Sequence, residues 1–84
     1  MNNVIMAVSI DKRSTAAPTV QEVLTKYGEM IQFRLGVHDL HHGENNENGR
    51  IILQVIGEDA KIDALTAAVS GLDLVKVQTM ELEY

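Results

Sequence analysis

The stretch Met30-Ile31-Gln32-Phe33-Arg34-Leu35-Gly36-Val37 sets the topology of this chain. Ile31, Phe33, Leu35 and Val37 alternate with Met30, Gln32, Arg34 and Gly36, the period of two that a half-buried strand requires. Upstream, Val20, Val23, Leu24 and Tyr27 fall at i, i+3, i+4 and i+7, one apolar helical stripe that Gly28 can stop. Downstream, Ile51 to Ile56 reads as another strand, with no helical stripe in between. Two strands are therefore adjacent in sequence and pair antiparallel.

The same reading extends to both ends. Val4, Met6, Val8 and Ile10 alternate with Ile5, Ala7 and Ser9 in a first strand. Ile62, Leu65 and Val69, with Ala68 filling in, form a second helical stripe. Val75, Val77 and Thr79 alternate with Leu74, Lys76, Gln78 and Met80 in a last strand. The order β-α-β-β-α-β predicts an α+β sandwich: a four-stranded antiparallel sheet with two helices on one face.

Boundaries are less sharply written. Ser14 can cap the first helix, or Pro18 can be its first residue, where a missing N–H costs little. Asp59 suits the N-cap of the second helix, and Gly71 the residue just past its end, with Leu72 closing back on the last turn. His38 to Gly49 is polar and longer than the two to five residues of an ordinary hairpin loop.

Composition narrows the function classes. At 84 residues one domain is expected. Such a chain buries only about 60 to 65 % of its unfolded surface, so its stability margin is thin. There are no cysteines, which excludes disulfides, thiolate zinc sites and iron–sulfur clusters held by this chain. Seven basic residues against twelve acidic give a formal charge of -5, and Lys12-Arg13 is the one adjacent basic pair. Nucleic acid and anionic membrane surfaces are therefore not expected partners. No apolar run approaches the twenty or so residues of a membrane span, and Met1-Asn2-Asn3 lacks the charge of a secretory signal, so a cytoplasmic location is expected.

Helices on one side leave the other sheet face bare. With Phe33 and Leu35 toward the helices, Met30, Gln32, Arg34 and Gly36 point outward. Ile52, Gln54 and Ile56 join them from the third strand, Lys76, Gln78 and Met80 from the fourth, and Ile5, Ala7 and Ser9 from the first. The apolar members make a patch of a few hundred Å2, the size of a contact surface. A homo-oligomer, dimer or tetramer, is expected to cover it. On that face Arg34 can pair bidentately with the carboxylate or phosphate of a small anionic ligand, and Gly36 lets a ligand come close. The alternative is an intersubunit salt bridge at Arg34 and a simple bulge at Gly36. Arg34, Gly36, Ile52, Gln54 and Met80 are thus the candidate ligand-binding or interface residues.

Two other constellations are weaker. His38, His41 and His42, with Asp39 or Glu44, have the chemistry of a zinc, copper or nickel site. Their placement in a long polar connection favours a loop, and no metal is expected. The turn Asp11-Lys12-Arg13-Ser14-Thr15 enters a helix N-terminus but lacks the glycine-rich spacing that wraps a phosphate. No catalytic residues are assigned.

With its elements placed, the chain resembles the iron-only hydrogenase system regulators, small ACT-like proteins, over nearly its whole length. The likeness is densest in YGEMIQFRLGVHD (Tyr27 to Asp39), above all Arg34-Leu35-Gly36. It continues in IILQVIGEDAKIDAL (Ile51 to Leu65) and SGLDLVKVQTMEL (Ser70 to Leu82). The resemblance implies a single ACT-like domain over residues 1–84, a ferredoxin-like fold, and an oligomeric ligand-sensing or assembly role without catalysis or cofactor. The same fold is similar to the C-terminal domain of nickel-responsive regulators, where strand histidines and a cysteine hold the metal. Here Arg34 and Gly36 occupy the equivalent strand and cysteine is missing, which argues against a square-planar nickel site. The catalytic alternative is a small enzyme on this scaffold. It would be either an acylphosphatase-like hydrolase or a dimeric α/β-barrel type using His38 or His41 as a base.

Overall fold

The computed structural model describes residues 1–11, 13–38 and 48–83. Strand β1 (Asn2–Ile10) leads into helix α1 (Arg13–Lys26), and a short 3-10 turn, Gly28–Met30, feeds strand β2 (Ile31–His38). Strand β3 (Gly49–Gly57), helix α2 (Asp59–Ser70) and strand β4 (Val75–Leu82) follow. The sheet is antiparallel throughout, in the order β2-β3-β1-β4, with the two helices on one face. This is the ferredoxin-like βαββαβ arrangement.

The period of two in β1 and β3 builds the core. Val4, Met6, Val8 and Ile10 of β1 face the helices opposite Val55, Leu53, Ile51 and Gly49 of β3. Above them sit Val20 and Leu24 from α1 and Ile62, Leu65 and Val69 from α2. Among the described residues no polar side chain is buried, so burial of apolar area and the backbone ladder carry the stability.

Three boundaries differ from the sequence reading. Helix α1 begins at Arg13, one residue before Ser14, and runs through Pro18. Pro18 therefore leaves one carbonyl of the first turn without its usual donor, a cost outweighed by burial of Ala16 before it and Val20 and Leu24 after it. At α2 the cap is Glu58, extended at φ -77° and ψ 151°, while Asp59 is already helical. The Glu58 side chain makes no capping hydrogen bond. Glu58→Asp, which shortens the carboxylate to capping reach, is expected to stabilise the fold by about 0.5 to 1 kcal/mol. The shift in urea midpoint measures it. Finally, Gly71 is right-handed, its N–H donating to the Ala67 carbonyl at 3.0 Å, and the left-handed residue is Leu74 at φ 66°.

Candidate functional site: the open face of the sheet

Strand pairing fixes which side chains share the open face. Reading across from β4 through β1 and β3 to β2, one row is Met80, Ile5, Gln54 and Phe33. The next is Gln78, Ala7, Ile52 and Leu35, and the one beyond is Lys76, Ser9, Arg50 and Val37. At the other end Leu82, Asn3 and Ile56 complete the surface. Large apolar side chains stand in the open here: Phe33 is 45 % exposed, Leu35 53 %, Val37 41 % and Met80 58 %. Gln54 is the polar residue at the centre. Its Nε2 donates to Asn3 Oδ1 at 3.1 Å, which satisfies one donor within the surface itself.

Ile52, Gln54 and Met80 therefore lie together on the open face, as the alternation indicates. Arg34 and Gly36 do not. Arg34 pairs with Leu53 and Gly36 with Ile51, both inward residues of β3, so the pair lies on the helix side. The cause is one extra residue. Ile31 pairs with Val55, and the next matched pair is Phe33 with Gln54, so Gln32 is bulged out of the ladder. A shift of one residue moves every later side chain to the opposite face. Phe33, Leu35 and Val37 are thereby turned outward, and the exposed guanidinium-bearing Arg34 is turned away from them.

Met30, expected outside, is buried instead. Its thioether fills the place where Gly57 has no side chain; a Cβ there would meet the Met30 sulfur at 2.9 Å. This complementary pair, a flexible Met and a Gly two strands' length away, is the trace of the true register in the sequence. On the helix side, Gly36 lines a shallow cleft with Ala17 and Gln21 of α1 and has open space above it.

The remaining candidates stand apart. His38 ends β2 opposite Gly49, and its side chain lies outside the described residues together with Asp39, His41, His42 and Glu44. Among the described residues no group of three or more His, Asp or Glu side chains is arranged to hold a metal. In the β1–α1 turn, Asp11 donates its N–H to the Leu74 carbonyl at 2.8 Å. Lys12 and the side chains of Arg13, Ser14 and Thr15 lie outside the described residues. No helix among those residues is long and apolar enough to cross a membrane.

No family model and no curated protein matches the chain. Solved structures do. The uncharacterized protein TM1266 from Thermotoga maritima superposes with a TM-score of 0.82 at 23 % identity, over 96 % of each chain. A dimeric ferredoxin-like protein of unknown function from Thermobifida fusca gives 0.51 at 14 %, covering 96 % of this chain and 92 % of that one. CPII from Thiomonas intermedia, solved with ADP, AMP and acetate, gives 0.55 at 10 %, covering 99 % and 90 %. At these identities the likeness concerns the backbone: the chain has the ferredoxin-like fold.

Proposed function

We propose that this chain is a non-catalytic cytoplasmic regulatory or assembly module whose copies join through the open face of the sheet. The observation that carries the reading is the outward row of Phe33, Leu35 and Val37 beside Ile5, Ile52 and Met80. A second copy of the chain fits it. Four strands about 4.8 Å apart and eight residues long define a plane of roughly 450 Å2. Two such faces, stacked about 10 Å apart, bury on the order of 1,000 Å2 with side-chain relief, the lower bound of a specific interface. Its register positions carry Lys76 and Arg50 at one end and no carboxylate, so the apolar middle meets its own copy without opposing charges there.

The non-catalytic reading rests on the sequence resemblance. A fold neighbour crystallised as a dimer, and another solved with nucleotides and acetate, support assembly and anionic-ligand sensing as roles this scaffold takes. Regulation within a hydrogenase system rests on the sequence resemblance alone. Light scattering of the purified chain at micromolar concentration tests the assembly. A dimer or tetramer is expected, and a monomer at every concentration up to about 100 µM, corresponding to binding weaker than about 5.5 kcal/mol, overturns it.

A further inference from the structure

We infer that the chain binds a small organic anion, presenting a carboxylate or phosphate, in the cleft where β1 ends and β3 and β4 begin. The inference deepens the ligand-sensing part of the proposed function and moves the site away from Arg34. All of its residues belong to one chain and lie in the row at one end of the open face.

Register supplies the recognition chemistry. Ser9 of β1 lies directly opposite Arg50 of β3 on one side and Lys76 of β4 on the other. Residues directly opposite point to the same face, so the guanidinium and the ammonium flank one hydroxyl, their strands about 10 Å apart. Two long cationic side chains at that spacing can converge on one anion, with the Ser9 hydroxyl donating from between them. The chain carries a net charge of -5, yet among the described residues the paired strand positions of the open face hold these two cations and no carboxylate. In a protein with an acidic excess, that concentration of positive charge is a local feature of this end of the sheet.

Shape agrees. Ser9, Arg50 and Lys76 line a cleft of about 500 Å3, within the range of small-molecule sites, together with Asp11, Asn48 and Leu74. Its wall is built with strain: Leu74 sits at φ 66°, where a branched side chain is disfavoured, and its carbonyl accepts the Asp11 N–H at 2.8 Å. Asp11 is the carboxylate among the described lining residues.

Isothermal titration of the full chain with inorganic phosphate, malonate and AMP tests the site and separates phosphate from carboxylate chemistry. At least one probe is expected to saturate at millimolar concentration or below. Arg50→Gln and Lys76→Gln are each expected to weaken it about tenfold or more, while Lys61→Gln on the exposed side of α2 leaves it unchanged. Binding that survives both substitutions but disappears in Arg34→Gln overturns this site and leaves ligand sensing standing. Failure of all three probes to bind at about 10 mM overturns both. Circular dichroism of each variant confirms that the exposed substitutions leave the fold intact.

Discussion

Leu35→Glu is expected to leave the chain folded and to weaken its self-association by about a thousandfold. Leu35 is half exposed on an edge strand, so the folded monomer loses little when it changes. In a twofold assembly each substitution counts twice. Each copy forfeits about 1 to 2 kcal/mol of apolar burial and places a desolvated carboxylate against an apolar row. Roughly 2 kcal/mol per copy gives about 4 kcal/mol in all, three decades in the dissociation constant. Sedimentation velocity over a concentration series reads this directly. The neighbouring Arg34→Glu is the control, since its side chain lies on the helix side of the same strand. It is expected to shift the dissociation constant by less than about threefold. Dissociation by Arg34→Glu with Leu35→Glu still assembled would mean that Gln32 does not turn the strand over and that the interface lies elsewhere.

That pair of substitutions also marks where the sequence stops being legible. Every strand and both helices can be read from periodicity, because β1 and β3 are long, bury one face fully and show it in Val4 to Ile10 and Ile51 to Val55. The open-face positions of Ile52, Gln54 and Met80 follow from the same alternation. The bulge at Gln32 leaves no such mark. Ile31, Phe33, Leu35 and Val37 alternate without a break, yet Ile31 faces inward and the other three outward. What fixes the register is tertiary: Met30 needs a hole, and Gly57 on the neighbouring strand is that hole. Local rules failed in the same way at the first helix, where Pro18 looks like a start but burial of Ala16 and Val20 carries the helix across it. At the turn into β4, the left-handed position falls to Leu74 and not to the nearby Gly71, because the Leu74 carbonyl is held by Asp11 and its side chain packs on the core. The candidate anion cleft was hidden for a related reason. Arg50 and Lys76 are 26 positions apart in sequence, and only their common partner Ser9 brings them side by side.

Leu53→Ala and Ile52→Ala, adjacent on β3, are expected to lower stability by different amounts, the first independently of protein concentration and the second increasingly as concentration rises. Leu53 is fully buried beneath the helices, between Met6 of β1 and β2. Its truncation opens a cavity in a small core and costs about 3 kcal/mol, a large share of the roughly 5 to 15 kcal/mol that such a domain possesses. That loss belongs to the single chain, so dilution does not change it. Ile52 faces the other way, opposite Ala7 and Leu35, and is half-buried in one copy. At concentrations low enough to dissociate the assembly, Ile52→Ala costs about 1 kcal/mol or less. Where copies are joined, the same methyl groups are buried against the partner and their loss weakens the association, so the deficit in melting temperature grows with concentration. Urea unfolding at about 1 µM and about 100 µM distinguishes the two behaviours, since association raises apparent stability by mass action. If the Ile52→Ala deficit is flat across that range, the apolar rows are a wetted surface and the chain acts alone. If it grows while the Leu53→Ala deficit stays constant, one face of β3 holds the chain together and the other holds the chains to each other.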